Sequence, residues 1–364
     1  MKPVKKIRIF LFGLILIGPL CLAQTPEQLQ RADELLSEFQ EANDIPGLSF
    51  SAGKKGLIVF SEGYGFADLE HRVPVYPSIT KFRVGSVAKP MTSVAIGQLV
   101  ESGKLDLDAP VQQYVPSFPV KDEGVITTRL LGGHLAGIRH YNSQEENFIL
   151  DHYENVVDAL EIFADDPLVN APGEAYSYSS FGYNLLSAVV QSASGRDFLE
   201  YMDTEVFTPL NMNDTMPDQV FDLIPGRAEV YVPGPDGHPL NAPPADNSYK
   251  WAGGGFLSTS EDLVRFGFGM LYSDILEEDT KELLWTPQQT SDGTPTTYGI
   301  GWNVPAEDGS NGFVGHSGGS VGGTTLFFIN RDKEVVIALI VNYSGLPNAG
   351  PLMTELREIF EGVN

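Results

Sequence analysis

The sequence predicts an α+β fold, in which an antiparallel sheet is flanked by N- and C-terminal helices and carries an inserted, mostly helical region. Three observations lead to this prediction. The chain opens with a helical pattern and a hairpin, it closes with several strands and an amphipathic helix, and residues 105–244 between them combine short helices with proline-rich loops. One α/β region built from both ends of the chain explains this order without linkers.

The N-terminal part shows a helical period and then strand alternation. Between Gln28 and Glu41 apolar residues return every three to four positions. The segment PGLSFSAGKKGLIVFSEGYGFAD then alternates about a Lys-Lys-Gly turn, which is typical of a hairpin. From Gly85 to Lys104 the apolar residues share one helical face, so we expect a second helix there.

The C-terminal part reverts to strands. GGGFLST leads into a helix from about Glu261, and a last amphipathic stretch from Leu352 to Phe360 predicts a closing helix. Between these helices, turn residues separate four expected strands, which are YGIGWNV, GFVGHSG, TTLFFIN and EVVIALIVN.

The first 23 residues form a separate unit. Basic residues at positions 2, 5, 6 and 8 precede an apolar run from Ile9 to Leu22, and Ala23 follows. This pattern is typical of a signal peptide, and the run is short of the roughly 20 residues that span a bilayer. The alternatives are an uncleaved membrane anchor and a lipoprotein at Cys21, which the bulky Leu20 disfavours. We expect a signal peptide at 1–23, export to a periplasm or the cell exterior, and no stable membrane insertion after cleavage.

Composition excludes several functions. Cys21 is the only cysteine, so a chain cleaved after Ala23 has no disulfide, thiolate nucleophile or cysteine-bound metal. Removal of four basic residues takes the net charge from −25 to −29. Such a surface repels nucleic acid and anionic lipid, so we expect neither as a partner.

GHSGG, at 315–319, fits the Gly-x-Ser-x-Gly pattern of a nucleophile elbow, with Ser317 as the nucleophile. An elbow needs a helix after the serine and a histidine further downstream. The segment after Ser317 has instead the pattern of a turn into a strand, and the last of the six histidines is His316. The elbow interpretation therefore fails.

A metal site has equally little support. The histidines at 134, 140 and 152 lack the His-Glu-x-x-His spacing, and without cysteine a closed zinc site is not expected. We predict no metal and no cofactor.

Ser-x-x-Lys, the other pattern that activates a serine, occurs three times. Ser51 and Lys54 fall in the first hairpin, where an odd spacing sends side chains to opposite faces. Ser78 and Lys81 follow a proline in an extended stretch. Only the pair Ser86 and Lys89 opens a helix, where positions i and i+3 share a face. A plain N-cap serine beside a solvated lysine is the alternative for this pair.

Two further segments carry candidate residues. Tyr178 lies on an irregular stretch directly before a predicted helix, so its hydroxyl can lean into a cleft, but as one of 14 tyrosines it is by itself better explained as a packed aromatic residue. GHSGG lies on a strand before a glycine-lined turn, where the backbone can approach a ligand closely.

With SVAK at 86–89, YSS at 178–180 and HSG at 316–318, the sequence resembles the serine β-lactamase and penicillin-binding protein superfamily. Tyrosine in the second motif resembles the class C β-lactamases, esterases and D-peptidases. A resemblance that is closer still, to the mitochondrial serine β-lactamase-like protein of animals and its bacterial relatives, rests on the blocks VGSVAKPMT, GKLDLDAPVQQYVPSFP, TTRLLGGHLAGIRHY, YSSFGYNLLSAVVQSASG and DNSYKWAGGGFLST. The resemblance covers about residues 30 to 345 and implies a β-lactamase/transpeptidase-like fold.

The resemblance implies roles for the motif residues. Ser86 would be the acylated nucleophile, Lys89 its base, and Tyr178 the proton shuttle to the leaving group and later the base for water. The backbone N–H groups of Ser86 and Gly319 would form the oxyanion hole. The substrate-binding residues would be Ser180, His316, Ser317 and Gly318.

Two departures from the family pattern argue against efficient β-lactam turnover. Ser180 replaces an asparagine amide, and His316 replaces a charged lysine, which would make the pull on a substrate carboxylate weaker and dependent on pH. HLAG at 134–137 also differs from the usual His-Thr-Ser-Gly, in a segment we interpret as structural.

The expected protein is an exported serine hydrolase that cleaves a peptide or ester through a covalent acyl-enzyme on Ser86. A true β-lactamase or D-alanyl-D-alanine carboxypeptidase is one alternative, and an inactive scaffold or binding module of the same fold is another. The hydrolase domain is expected over 24–364, with its α/β part at about 24–85 and 250–364 and its helical part at about 86–249. The resemblance implies a small-molecule or peptide substrate and allows a homo-oligomer or filament.

Overall fold

In the computed structural model of the protein, residues 24–143, 145–304 and 312–362 are described. The expected signal peptide at 1–23 lies outside these residues. Over the described ranges, no helix has both the length and the apolar character needed to cross a membrane.

A six-stranded antiparallel sheet forms the centre of the fold, in the order β3-β2-β1-β11-β10-β9. Its strands come from the two ends of the chain, as the sequence predicts, and β9 is an edge strand. The strands of this sheet are β1 (Gly47–Lys54), β2 (Leu57–Asp68), β3 (Val73–Pro74), β9 (Phe313–Ser320), β10 (Gly323–Asn330) and β11 (Val335–Val341).

The hairpin turn between β1 and β2 follows from its two central residues. Lys55 and Gly56 both have positive φ angles, 51° and 80°. Two left-handed residues make the type I′ turn, whose twist matches that of the flanking strands. Lys54 therefore pairs directly with Leu57, and the register of the hairpin is set.

The strand β11 is buried along its whole length because the sheet is covered on both faces. Val335, Ile337, Leu339 and Val341 pack with helices α1 (Pro26–Ala42) and α9 (Ala349–Glu361). The alternate residues Val336, Ala338 and Ile340 belong to the second, larger core, with the remaining helices. Both flanking helices were predicted, and α1 begins at a capping box formed by Thr25 and Gln28.

The regular secondary structure of the inserted region is mainly helical, as expected, but much of the region is loop, and short strands occur that the sequence pattern did not indicate. The helices after α1 are α2 (Ala88–Glu101), α3 (Thr128–Gly132), α4 (Ser180–Ser194), α5 (Phe198–Tyr201), α6 (Trp251–Gly254), α7 (Ser260–Tyr272) and α8 (Glu278–Trp285). The remaining strands are β4 (Phe82–Arg83), β5 (Met216–Pro217), β6 (Tyr231–Pro233), β7 (Pro239–Asn241) and β8 (Phe256–Ser258).

A three-stranded sheet, β4-β8-β5, connects the two parts of the chain that matter for the site. Strand β4 ends just before Gly85, and β8 begins just after α6. Since β4 pairs with β8, the backbone entering α2 and the backbone leaving α6 are held side by side.

YGIGWNV, at 298–304, was expected to be a strand and is not. Tyr298, Ile300 and Trp302 are buried, so the alternation in the sequence is real. The backbone turns on itself instead, because the N–H of Gly299 donates to the carbonyl of Trp302 and Gly301 has a φ of +87°. Only isolated bridges occur there.

Candidate active site

A cavity of about 310 Å³ lies where the start of α2, the start of α4, helix α6 and the edge strand β9 meet. A larger surface groove of about 720 Å³ lies around Lys55, Arg265 and Tyr272, and no serine hydroxyl there contacts a lysine or histidine. We therefore place the candidate site in the smaller cavity. Its lining residues are Ser86, His140, Tyr141, Asn147, Tyr178, Ser180, Lys250, Gly253, Gly254 and Gly319.

Ser86 and Lys89 are brought together by local helical geometry. Residues Gly85–Val87 form one 3-10 turn that continues into α2, so positions 86 and 89 lie on one face. The Nζ atom of Lys89 lies 2.9 Å from Oγ of Ser86. Ser86 is half-buried and borders the cavity, whereas Lys89 is fully buried.

The surroundings of Lys89 favour a neutral amine. Burial lowers the pKa of Lys89 well below its usual value, and the positive charge of Lys250 lowers it further. Nζ also lies 2.7 Å from the carbonyl oxygen of Gly253 and 3.3 Å from Oγ of Ser180. A neutral amine can donate to these two oxygens and keep its lone pair for the hydroxyl of Ser86.

Tyr178 lies on the irregular segment just before α4, as predicted, and its hydroxyl donates to Oγ of Ser86 at 2.8 Å. Its ring packs against the buried ring of His134, with centroids 4.2 Å apart. Burial raises the pKa of the Tyr178 phenol well above its usual value, although its bond to Ser86 acts in the opposite direction. Tyr178 is therefore a protonated donor beside Ser86.

The backbone of β9 comes very close to the turn that carries Ser86. Gly85 has a φ of +52°, and a Cβ built on it would lie 2.7 Å from the amide nitrogen of Gly319. A Cβ on Gly318 would lie 3.1 Å from the amide nitrogen of Ser86 and much closer to the carbonyl oxygen of Val84. Because N–H groups in the first turn of a helix lack intrahelical acceptors, the amide of Ser86 is available beside Gly319.

His316 differs from what the sequence analysis expected. The side chain is buried, its Nδ1 lies 2.5 Å from the carbonyl oxygen of Ser317, and its Nε2 lies 2.8 Å from the hydroxyl of Tyr298. Burial lowers the pKa of His316 to about 3, with a further contribution from the charge of Lys89. His316 is thus neutral with both nitrogens occupied, and it offers no cation for a substrate carboxylate.

The other predicted binding residues have different placements. Ser180 borders the cavity as the first residue of α4 and contacts Lys89. Ser317 is exposed on β9 and does not line the cavity, and Gly318 is packed against the turn at 84–86.

The two other Ser-x-x-Lys patterns do not form pairs in contact. The hydroxyl of Ser51 bonds to those of Ser61 and Ser260, while Lys54 donates to the carbonyl of Phe360. Lys81 forms an ion pair of 2.6 Å with Asp214. The opposite faces expected for Ser51 and Lys54 are confirmed, whereas the extended stretch expected around Ser78 is wrong, because Ser78 lies in a hydrogen-bonded turn in which the N–H groups of Ile79 and Thr80 donate to the carbonyl of Tyr76.

Sequence reasoning missed the cavity residues on the loop at 140–147 and around α6. Lys250, Gly253 and Gly254 lie in the block DNSYKWAGGGFLST, and its run of glycines was the available sign that backbone approaches the site closely there. His140 accepts from the backbone N–H of Ser180, and burial lowers its pKa to about 4. The histidine in the cavity lining is therefore neutral.

Within the described ranges, no cluster of three or more histidine, cysteine, aspartate or glutamate residues could hold a metal ion. The chemistry that this arrangement supports is the activation of Ser86 by a neutral amine, next to a phenol and paired backbone N–H groups.

The fold is that of the serine β-lactamase and penicillin-binding protein superfamily, as comparison with known proteins shows. The model of the Beta-lactamase family matches residues 32–359, so the chain belongs to this family. The fold is accordingly the β-lactamase/transpeptidase-like fold expected from the sequence.

Three relatives show how far the similarity extends. The mitochondrial serine beta-lactamase-like protein LACTB of Homo sapiens is 32% identical, over 86% of this chain and 74% of the human protein. Penicillin-binding protein 4* of Bacillus subtilis is 26% identical, over 85% of this chain and 70% of its own. An octameric penicillin-binding protein homologue from Pyrococcus abyssi has a similar structure, with a TM-score of 0.78 and 27% identity over 90% of this chain and 76% of its own.

Proposed function

We propose that this protein is an exported serine hydrolase, which cleaves a peptide or an ester through a covalent acyl-enzyme on Ser86. One observation supports this proposal above the others. Oγ of Ser86 lies 2.9 Å from a buried amine whose pKa is lowered by its burial and 2.8 Å from a phenol, at the edge of a cavity. This arrangement provides a nucleophile, its base and a proton donor within one hydrogen-bond length of each other.

In the acylation step, Oγ of Ser86 attacks the carbonyl carbon of the substrate and passes its proton to Nζ of Lys89. The negative charge on the carbonyl oxygen is stabilised by the N–H groups of Ser86 and Gly319. As the bond to the leaving group breaks, Tyr178 gives its hydroxyl proton to the departing nitrogen or oxygen. Acylation leaves the Lys89 ammonium and the Tyr178 phenolate in the same cavity, where their opposite charges stabilise each other.

In the deacylation step, the phenolate of Tyr178 takes a proton from water, and the hydroxide attacks the acyl carbon. The bond between that carbon and Oγ of Ser86 breaks, and Oγ recovers its proton from the ammonium of Lys89. All three side chains then return to their starting states, so the cycle needs no metal or cofactor.

The proposal also covers the organisation of the chain. We assign residues 1–23 to a signal peptide that directs export to a periplasm or the cell exterior. Residues 24–364 form one hydrolase domain, with an α/β part at about 24–85 and 250–364. The octameric homologue from Pyrococcus abyssi supports a homo-oligomer as the working state. Intact mass of the protein recovered from its native host, and light scattering on a sizing column, test these two points.

A labelling experiment tests the proposed function. The mature protein is treated with a fluorophosphonate probe, and the modified peptide is located by mass spectrometry. We expect the adduct on Ser86, undiminished in Ser317→Ala, absent in Ser86→Ala and strongly reduced in Lys89→Ala. An adduct on Ser317, or labelling of Lys89→Ala at the wild-type rate, would show that the assignment is wrong.

A hydrolysis panel separates the proposed function from the alternatives. It contains short acyl esters, D- and L-peptides and a chromogenic cephalosporin. Turnover of an ester or a peptide together with slow cephalosporin turnover is the expected result, since neither His316 nor Ser180 supplies the cation or amide of the β-lactamase pattern. Absence of turnover with every substrate, despite a folded chain, would favour the inactive scaffold.

A further inference from the structure

Lys250 is a buried lysine without an acidic partner. Its side chain is 4% exposed, and no hydrogen bond or ion pair with another described residue engages its Nζ. The ring of Tyr249 lies near it, with its centroid 5.2 Å from Nζ. The other buried lysines are bonded, since Lys81 pairs with Asp214 and Lys281 donates to the carbonyl of Ser273. Lys250 therefore stands apart from every comparable residue in the described chain.

The lysine borders the same cavity as Ser86. None of the ten lining residues is an aspartate or glutamate, and the one histidine among them, His140, is neutral. Lys250 thus supplies the positive charge of this cavity, in a chain whose net charge is −25. An anion that enters the cavity therefore meets a local attraction, although the net charge of the chain is strongly negative.

Asp218, the carboxylate whose negative charge raises the pKa of Lys250, is already bonded to other residues. Asp218 forms ion pairs with Arg83 at 2.7 Å and Arg227 at 3.3 Å, and it accepts a further bond from Asn247. Burial lowers the pKa of Lys250 to about 7, and the charge of Arg83 adds to this effect while Asp218 opposes it. A ligand carboxylate would supply the negative counter-charge that no described residue supplies to Lys250 in an ion pair.

The position of Lys250 indicates which part of a substrate it meets. Tyr178, the proposed donor to the leaving group, packs with His134 and faces the side of His316. Lys250 instead precedes α6, whose Gly253 and Gly254 line the cavity beyond Lys89. With the leaving group beside Tyr178, the wall lined by Lys250, Gly253 and Gly254 is left for the acyl portion of the substrate, which stays on Ser86 after the leaving group departs.

We propose that Lys250 is the anion-binding residue of the cavity, and that it selects acyl donors carrying a carboxylate on their acyl portion. The inference rests on the proposed acylation of Ser86. It places carboxylate recognition on the segment before α6 and not on β9, where His316 lies. The charge on Lys250 is unpaired in the free protein, so carboxylate binding relieves the cost of its burial.

Two chromogenic esters test this inference. The 4-nitrophenyl half-ester of glutaric acid and 4-nitrophenyl pentanoate differ only in a terminal carboxylate in place of a methyl group. We expect the ratio of their kcat/KM values to favour the half-ester by about ten-fold or more, because a hydrogen bond to a charged group contributes that much discrimination. Lys250→Met should abolish this preference and Lys250→Arg should retain much of it. An unchanged ratio in Lys250→Met overturns the proposal.

Effects that change the kcat/KM of both esters equally, such as partial unfolding or a changed pKa of Lys89, cancel in the ratio of the two values. A second pair of substrates, a short peptide with a free C-terminal carboxylate and its amide, tests the leaving-group side. A preference that depends on Lys250 in this pair, and not with the esters, contradicts the placement on the acyl side.

Binding without turnover separates this inference from the proposed function. Titration of glutarate into Ser86→Ala by calorimetry should show binding that Lys250→Met, combined with Ser86→Ala, lacks. If the fluorophosphonate probe labels Ser86 but glutarate binding does not depend on Lys250, the inference alone fails. If glutarate binds through Lys250 but Ser86 is never labelled, the proposed function fails and the anion site stands.

Discussion

The backbone of Gly319 occupies the space in which a side chain on Gly85 would begin. A Cβ on Gly85 would lie 2.6 Å from the carbonyl oxygen of Gly319 and 2.7 Å from its amide nitrogen. Gly85 also has a φ of +52°, which disfavours residues with a side chain. This close approach holds the amide groups of Ser86 and Gly319 beside each other, although they come from opposite ends of the chain.

Gly85→Ala should therefore reduce both activity and stability. The left-handed φ costs about 1–2 kcal/mol of unfolding free energy, and the clash with Gly319 costs about 1–3 kcal/mol more. Displacement of one N–H from the acyl oxygen should lower kcat by about 10²-fold or more. Urea denaturation and ester turnover measure the two effects.

Gly103→Ala is the matched control for this substitution. Gly103 has a φ of +67°, and no atom of the described chain beyond its two sequence neighbours lies within 4 Å of a Cβ built on it. The control should lose the conformational contribution alone and keep full turnover. Equal losses in the two variants would show that the contact with Gly319 has no energetic role.

Tyr178→Phe should slow acylation of Ser86 while the aromatic ring keeps its place in the site. The change removes the hydroxyl 2.8 Å from Oγ of Ser86 and leaves the ring packed on His134. Loss of a positioned proton donor typically costs about 10²–10⁴-fold in rate. The loss in acylation rate is measured by stopped-flow release of 4-nitrophenol from an ester that is a poor substrate.

Tyr176→Phe is its control, because this neighbouring tyrosine is exposed and also packs on His134. It should hydrolyse the same ester at close to the wild-type rate. A loss of similar size in both variants would assign the effect to packing around His134 and not to the hydroxyl of Tyr178.

Much of the fold follows from local pattern. Helix α1, the β1–β2 hairpin, strands β9 to β11 and helix α9 are encoded by apolar periodicity and turn residues in contiguous sequence. The stretch at 298–304 shows the limit of this reasoning. Its alternate residues are buried as in a strand, but Gly299 and Gly301 allow the backbone to turn, and burial alone does not require a ladder of hydrogen bonds.

The site was accessible from sequence where a spacing determines a contact. Ser86 and Lys89 meet because helical positions i and i+3 share a face. The environments of Lys250 and His316 depend on residues far away in sequence. Whether a lysine has an acidic partner, or a histidine both its nitrogens bonded, is decided by tertiary packing and leaves no local pattern.

His316→Phe should destabilise the protein without affecting carboxylate recognition. The substitution removes the acceptor for the buried hydroxyl of Tyr298, which costs about 1–3 kcal/mol of unfolding free energy. Because the pKa of His316 lies at about 3, the histidine carries no charge at neutral pH to lose. The preference for the glutaric half-ester over the pentanoate should therefore persist in the folded fraction. Loss of that preference would show that His316 binds the substrate carboxylate, which is the role expected from the sequence.

The pH dependence of acylation should report the neutral amine of Lys89. Only the unprotonated amine accepts the proton of Ser86, so kcat/KM rises with pH through the pKa of Lys89 and is constant above it. Burial, and then the charge of Lys250, lower this pKa well below its usual value, which places the acidic limb well below pH 10.5. The histidines facing Lys89 contribute no competing charge near neutrality, since burial lowers the pKa of each of His134, His140 and His316.

Lys250→Met should move this acidic limb to higher pH, because it removes the second cause of the lowered pKa and leaves burial unchanged. The neutral pentanoate ester is the substrate of choice, since it does not itself bind through the ammonium of Lys250. Lys104→Met, which removes an exposed lysine beyond the end of α2, should leave the limb in place. A limb that stays fixed in Lys250→Met, or moves equally in Lys104→Met, would show that Lys250 does not act on the charge of Lys89.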